Sequence, residues 1–521
     1  MPREKKPVAV ASRSNGHVPN GTTEKITAKS KKPQHKETFD QVPLDRAITT
    51  YFSYALMIFW GYIWDALRQI GLIKDGHGEA TCKDDLFKLK MEWTGFYTRN
   101  VYRRMRDCFN RPVCGVPGAY IDLVDRKSDD FNWTFKNVGT KTRCLNLGSY
   151  NYLGFAEEKG PCADAAIQSI HEYGAGTNSS RVDLGTLQCI QDLEEKVAEF
   201  VRKAAAIVFG MGFSTNSTNI PALVEKGCLI LSDALNHASV VTGAKLSGAT
   251  IRVFKHNDIE SLEYLLREAI VKGQPRTHRP WKKILIIVEG IYSMEGSVPR
   301  LHEIIELKKK YKAYLYLDEA HSIGAMGPTG RGVTEYLGVD PADVDIMMGT
   351  FTKSFGGCGG YIAATEDIIN HLRSHSHAAI YASAMSAPVA LQILTSMKII
   401  MGEDGTNEGQ KRVTQLIENT RYFRKRLKEM KFTVYGNDDS PVVPIIVYQP
   451  GRIQAISRKL REKKIAVVGV GYPATSIVEG RIRICLSAAH TREMLDTVLK
   501  EFGDICSTLW MGNDTVKDKT S

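Results

Sequence analysis

Five short apolar runs, Ala205–Phe209, Cys228–Leu231, Ile284–Val288, Ala313–Leu317 and Asp345–Met348, recur between segments of helical periodicity and constrain this chain more than any other feature. They are too short for buried helices and lack polar alternation, so each reads as a strand covered on both faces. Strands joined by helices line up in parallel. The expected fold class is α/β, with a large, mostly parallel sheet domain at 141–400. A long charged helix, Gln415–Met430, then leads to strand-like Thr433–Tyr435 and Val442–Tyr448, which predicts a smaller C-terminal α+β domain at 401–507. Open sheets of this kind place ligands beyond the carboxyl ends of their strands, where this chain has polar residues.

The flanks read differently. The first 40 residues hold nine Lys or Arg against four acids, which concentrates much of the formal +11 charge in one tail, predicted as disordered over 1–45. The remainder is mildly basic and shows no interleaving of basic and aromatic residues, so nucleic acid is not an expected partner. Ten cysteines without a Cys-x-x-Cys pair exclude a disulfide framework and a structural zinc site, and no metal is expected. Cys114, Cys228 and Cys485 are expected to pack as small apolar side chains.

Between the tail and a 73–140 segment of mixed signals lies a membrane-associated hydrophobic helix, expected over 46–72. Its uncharged core, Ala47–Trp64, has 18 residues. As a helix it spans about 27 Å, close to the roughly 30 Å of a hydrocarbon core. Aromatic residues along its whole length prefer the headgroup region. The run therefore fits a spanning anchor, an interfacial helix or a helix docked on protein. A short tail is expected at 508–521.

The chemistry gathers around Gly349-Thr-Phe-Thr-Lys353-Ser-Phe-Gly356-Gly357 and the upstream Asp318-Glu-Ala-His321. A lysine that holds an aldehyde cofactor needs an acid for a ring nitrogen, a donor for a ring oxygen and a cradle for a phosphate. Asp318, closing an apolar strand, suits the first role, and His321 the second. A lysine among apolar or cationic neighbours loses proton affinity and becomes nucleophilic. Thr350 and the sequence Gly210-Met-Gly212-Phe213-Ser214, which follows a strand and opens a helix, suit the third. His237 follows another strand end and is a candidate to stack on the ring. Arg483 offers a fork for a carboxylate. Gly327-Pro-Thr-Gly330-Arg-Gly332 superficially resembles a dinucleotide loop, but Pro328 and the lack of a strong following helix assign it to a surface loop.

These residues resemble the α-oxoamine synthases over about 80–507. The motifs are Ser149-Tyr-Asn-Tyr-Leu-Gly-Phe155, Gly210-Met-Gly-Phe213, Asn236-His237-Ala-Ser239, Glu289-Gly-Ile-Tyr-Ser293-Met, Leu317-Asp318-Glu-Ala-His321, the Lys353 stretch, and Pro473-Ala-Thr475 before Arg483. The resemblance implies an aspartate aminotransferase-like fold of type I and pyridoxal 5'-phosphate as cofactor. It also implies a decarboxylating condensation of L-serine with palmitoyl-CoA to 3-ketosphinganine. It makes Lys353, His237 and Asp318 catalytic, with His321, Gly212, Phe213 and Thr350 holding the cofactor, and Arg483 and Asn151 on the substrate. It further implies a non-catalytic long-chain base 1 subunit as partner in a heterodimer at the endoplasmic reticulum membrane, the catalytic part facing the cytosol. Two segments depart from the family pattern, Gly176–Arg181 and Gly185–Leu193, the latter with Cys189 in place of a usual histidine. Both are expected in a loop near a neighbouring site. A 5-aminolevulinate synthase would carry a transit-like leader and lack the Ala47–Trp64 run. A purely structural subunit would lack Lys353.

Overall fold

The computed structural model describes residues 42–72 and 92–509. The expected tails at 1–45 and 508–521 lie almost wholly outside these residues, as does the first part of the 73–140 segment.

Three strands come first: β1 (Val113–Cys114), β2 (Tyr120–Lys127) and β3 (Lys136–Asn146). Seven more form the central sheet: β4 (Ala205–Phe209), β5 (Leu229–Asp233), β6 (Thr250–Phe254), β7 (Ile284–Glu289), β8 (Tyr314–Asp318), β9 (Ile346–Thr350) and β10 (Gly360–Ala364). Their order across the sheet is β4-β10-β9-β8-β7-β5-β6, and only β10 runs antiparallel to its neighbours. The five expected apolar runs all lie in this sheet. The two strands not anticipated have readable causes. β6 is an edge strand whose Arg252 interrupts the apolar pattern. β10 is Gly-Tyr-Ile-Ala-Ala, poor in strand formers, and is held because its small residues are buried between β4 and β9.

Alternation along the strands feeds two separate cores. Leu231, Ile286, Val288, Leu315 and Leu317 belong to one, Ile230, Leu285, Ile287, Tyr316 and Ile346 to the other. The sheet is thus covered on both faces, and the period of two decides where each strand-end residue points. Asp318 follows Tyr316 onto the second face. Glu289 follows Ile287 onto the same face, in direct register with Asp318.

Beyond the sheet, the charged helix spans Glu408–Glu429, longer than expected at its N-terminus. It precedes β11 (Val442–Tyr448), β12 (Ile465–Ala466), β13 (Val468–Val470) and β14 (Gly480–Cys485). β14 lies between β11 and β13, whereas β12 pairs in parallel with β3, so the N-terminal hairpin and the C-terminal region share a sheet. Thr433–Tyr435 contributes a single bridge, Val434 to Ile445, rather than a strand. Gly327–Gly332 is a surface loop only at Pro328 and Thr329; Gly330 is buried, and Glu319 Oε2 accepts the Val333 N–H at 2.9 Å to hold the segment inward.

The N-terminal helix runs Leu44–Gln69. Thr50, Tyr54 and Gly61 are buried on one side, Tyr54 packing with Val101 and Met105. Ile48, Phe52, Leu56 and Phe59 are exposed on the other. Among the described residues, no helix is long and apolar enough to cross a membrane. Nine cysteines are free among the described residues. Cys228 and Cys485 are buried, but Cys114 is half-buried with the Lys141 ammonium 2.9 Å from its sulfur, because β1 lies at the sheet edge. Cys189 sits in the core on helix Gln188–Val201, not in a loop, since its apolar neighbours continue the helical stripe.

A Cβ on Gly61 would lie 2.7 Å from the Phe96 ring. Gly61→Leu is therefore expected to cost about 1–3 kcal/mol. It should release the Leu44–Gln69 helix to limited proteolysis while leaving the central sheet protected, as hydrogen exchange would show.

Candidate active site

The carboxyl ends of β7, β8 and β9 bring Glu289, Asp318 and Thr350 to one edge of the sheet. Asp318 is buried. Its Oδ1 accepts the Ala320 N–H at 2.9 Å and its Oδ2 accepts from Asn216 Nδ2 at 2.7 Å, so the carboxylate is fixed at both oxygens. Glu289, one strand over, accepts the His237 backbone N–H. Burial first, and the neighbouring Asp318 second, push its proton affinity well above the carboxylate range. Glu289 thus tends to stay neutral beside Asp318, as two adjacent buried carboxyls must.

Lys353 lies in the loop after β9. It is half-buried, and the protein around it is close enough that desolvation pushes its pKa down to about 8, against the attraction of Asp318. Its ammonium stands 5.6 Å from the centre of the Tyr150 ring. A buried amine of this kind is nucleophilic near neutral pH.

The opposite wall comes from the N-terminal loop and β14. Tyr150 stands edge-on to His321, with ring centres 5.1 Å apart, and Tyr152 Oη lies 2.8 Å from His321 Nδ1. Burial, with Lys353 and Arg483 nearby, keeps His321 neutral. The two arginines of β14 face the same side but differ in company. Arg481 is fully buried, paired with Glu295 and Glu479, and bonded to Met294 O. Arg483 bonds the Tyr150 side chain, whose ring centre is 4.9 Å away, makes long contacts to Ser293 O (3.4 Å) and Met294 Sδ (3.7 Å), and leaves its Nε buried without a partner. A guanidinium so under-used is poised for an anion.

The phosphate candidates also meet. Helix Gly212–Leu223 begins where β4 ends, and its N-cap, Met211, provides no side-chain cap. The first N–H groups of a helix need acceptors from outside it. Thr350 Oγ1, held by Gly359 O at 2.9 Å, lies 2.8 Å from where a Cβ on Gly212 would be, so only glycine leaves this cradle open. Phe213 stands edge-on to His237, 6.1 Å between ring centres, and the His237 ring opens outward over the site.

Asn151 is placed otherwise than expected. Its Nδ2 donates to Pro117 O and Ala156 O, and its Oδ1 accepts the Ala156 N–H. These bonds use both Nδ2 hydrogens in closing the Tyr150–Ala156 turn, so the side chain shapes the loop and has only the second lone pair of Oδ1 left for a ligand. Arg181, in the departing Gly176–Arg181 segment, is held by Glu194 at 2.8 Å. The sequence reading gave no role to Glu289, Asn216 or Tyr150. Glu289 ends a strand as Asp318 does, and that was the available signal.

The residues present fit pyridoxal phosphate. A buried acid, a low-affinity amine, an open glycine cradle at a helix start and an orphaned guanidinium nitrogen match its ring nitrogen, aldehyde, phosphate and amino-acid adduct in turn.

The family model described as aminotransferase class I and II matches residues 142–502. A human protein named serine palmitoyltransferase 3 is 56% identical over 474 residues, covering 90% of this chain and 86% of its own length. A rice protein, long chain base biosynthesis protein 2a, is 52% identical over 477 residues, covering 89% and 95%. Among solved structures, Sphingomonas wittichii serine palmitoyltransferase superposes with a TM-score of 0.66 at 31% identity, covering 72% of this chain and 90% of its own. A serine palmitoyltransferase solved with its pyridoxal phosphate aldimine gives 0.69 at 27%, covering 80% and 98%.

In the cofactor-free protein, competitive acylation of amines read by peptide mass spectrometry is expected to show Lys353 reacting half-maximally at about pH 8. Below that pH the amine is protonated and inert. Surface lysines should lag by about two pH units. Glu289→Gln keeps the His237 contact as a neutral group and is expected to change that midpoint little.

Proposed function

The chain belongs to the aminotransferase class I and II family and, within it, to the serine palmitoyltransferases, and from that premise we propose that it joins L-serine to palmitoyl-CoA. The products are 3-ketosphinganine, CoA and CO2. The cofactor is pyridoxal phosphate. When bound, it supplies an electron sink at the amino-acid α-carbon.

The chain's own residues do the rest. Asp318, fixed at both oxygens, holds a proton on the pyridine nitrogen and keeps the ring electron-poor. Lys353 would anchor the cofactor and, when free of it, would be a neutral amine above about pH 8. It is thereby suited to take the α-proton. Arg483, with its Nε unpartnered, would hold the serine carboxylate in orientation until CO2 leaves. Gly212, Phe213 and Thr350 would hold the phosphate, His237 would cover the ring, and His321, kept neutral and oriented by Tyr152, would donate or accept at the ring oxygen. The observation that carries this reading is Lys353, an amine of lowered proton affinity opposite a buried, fully oriented Asp318.

We further propose that the chain works beside a non-catalytic long-chain base 1 subunit at the endoplasmic reticulum membrane, its catalytic part facing the cytosol. Two features support this. Apolar residues near the phosphate cradle, Met211 and Tyr381, are exposed, as a subunit face would be. The Leu44–Gln69 helix turns Phe52, Phe59 and Trp60 outward, which suits an interface rich in headgroups.

Purified with pyridoxal phosphate, the protein should show a visible absorption band that borohydride removes, with the reduced adduct on Lys353. Lys353→Ala should lack the band and lose activity by more than about a thousandfold. A folded wild type without the band refutes the reading. Arg483→Lys keeps the charge but loses the fork, and should raise KM for serine about tenfold or more with a smaller change in that for the acyl donor. Replacing Phe52, Phe59 and Trp60 together with serine should shift the protein from the membrane pellet to the supernatant on fractionation.

A further inference from the structure

Tyr316, Asn216, Ser239 and His237 form an unbroken line of hydrogen bonds that runs from beneath the sheet edge to the rim of the site. Asn216 sits one turn into helix Gly212–Leu223, buried against the face that carries Asp318. Its Nδ2 lies 2.7 Å from Asp318 Oδ2 and 3.0 Å from Ser239 Oγ, and its Oδ1 accepts from Tyr316 Oη at 2.7 Å. Donor accounting allows no other orientation, since a carboxylate accepts only and the Tyr316 hydroxyl requires an acceptor. Both amide hydrogens of Asn216 are then in use.

The count continues through Ser239. Having accepted from Asn216, its Oγ keeps its own proton to donate, and His237 Nδ1 stands 2.8 Å away. The Ser239 backbone N–H, opening helix Ala238–Leu246, points at the same nitrogen at 3.2 Å. Two donors converging on Nδ1 leave it no proton of its own.

We propose that Asn216 is a positioning residue for the reaction: through one amide it orients the Asp318 carboxylate and, by way of Ser239, holds His237 in the tautomer with Nδ1 as acceptor and the proton on Nε2. The inference rests on the reading of the site as a pyridoxal phosphate centre. The acid at the pyridine nitrogen and the imidazole over the ring are thus set by a single neutral group. A neutral amide does this without adding charge beside Asp318. Burial and the neighbouring Lys353 lower the proton affinity of His237 against the pull of Asp318, so the ring is uncharged and the choice between its nitrogens is the open variable. The hydrogen-bond line settles that choice together with the Ser239 backbone N–H.

The test uses the full chain with 15N-labelled histidine, cofactor-free, with the His237 signals identified by their loss in His237→Gln. Wild type should show Nδ1 unprotonated and Nε2 protonated. Asn216→Asp has nearly the same volume, but against Asp318 the two carboxyls share one proton and none is left for Ser239, so the Ser239 hydroxyl turns toward it and His237 Nδ1 keeps only the backbone N–H. Ser239→Ala cuts the same line later. Both variants should populate the second tautomer. Asn216→Asp should also weaken pyridoxal phosphate binding, measured by titration, by about ten- to a hundredfold. A role confined to packing predicts a lower Tm with tautomer and cofactor affinity unchanged, and that result overturns the proposal. Should Asn216→Asp not fold, Ser239→Ala decides alone: an unchanged tautomer overturns the proposal, and a shifted one upholds it. Wild type that binds no pyridoxal phosphate refutes the reading of the site, while the tautomer comparison still reports on Asn216.

Discussion

Two carboxyl groups, Asp318 and Glu289, stand side by side at the ends of adjacent buried strands, and the surrounding structure is arranged around fixing the first by hydrogen bonds and keeping the second neutral. An unpaired buried charge costs several kcal/mol. Asp318 meets that cost with two hydrogen bonds, one from its own chain two residues on and one from Asn216 on the covering helix. Glu289 avoids the cost by holding its proton. The attraction of Asp318 for Lys353 is not enough to offset the desolvation of the amine, which is why a basic residue among acids ends with a pKa near 8. The same dryness that makes the carboxyls expensive makes the lysine reactive.

The parallel topology makes this arrangement possible. In β7, β8 and β9 all carboxyl ends fall on one edge, so three successive strand termini deliver Glu289, Asp318 and Thr350 within a few residues' breadth. The antiparallel β10 brings Gly359 O alongside to hold Thr350, and the helix starting at Gly212 approaches because no Cβ stands in the way. The far wall is built from parts distant in sequence, Tyr150 and Tyr152 from the N-terminal loop and Arg483 from β14. These are tied together where Ser487 Oγ donates to Asn151 O at 2.6 Å and Ala488 N to Tyr152 O at 2.7 Å. Asn151 therefore contributes to the site by fixing its neighbours.

Most of the central sheet was legible because apolar runs bounded by helical periodicity have few other solutions. The two strands that escaped notice show the limit. β10, with Gly and Ala at three of its five positions, has little intrinsic preference for a strand and adopts one because it pairs with β4 on one side and β9 on the other. β6 mixes Arg252 into an apolar strand because one of its faces sees solvent. Cys189 was misplaced for a related reason: a cysteine on a core stripe looks like any residue of a variable loop until the helix is seen to continue through it.

The chemistry divides in the same way. Local order along the chain settled that Lys353 follows one strand and Asp318 closes another, and that a glycine-led helix start follows a third. Those are properties of segments, and residue type with spacing determines them. Which of Arg481 and Arg483 is free, whether Asn151 faces a ligand or a turn, and that Glu289 and Asn216 belong to the site at all were decided only by folding. These depend on partners from other elements, Glu295 and Glu479 for Arg481, Pro117 for Asn151, Tyr316 and Ser239 for Asn216. A hydrogen bond or a desolvation is a relation between surfaces that meet only when the chain is packed.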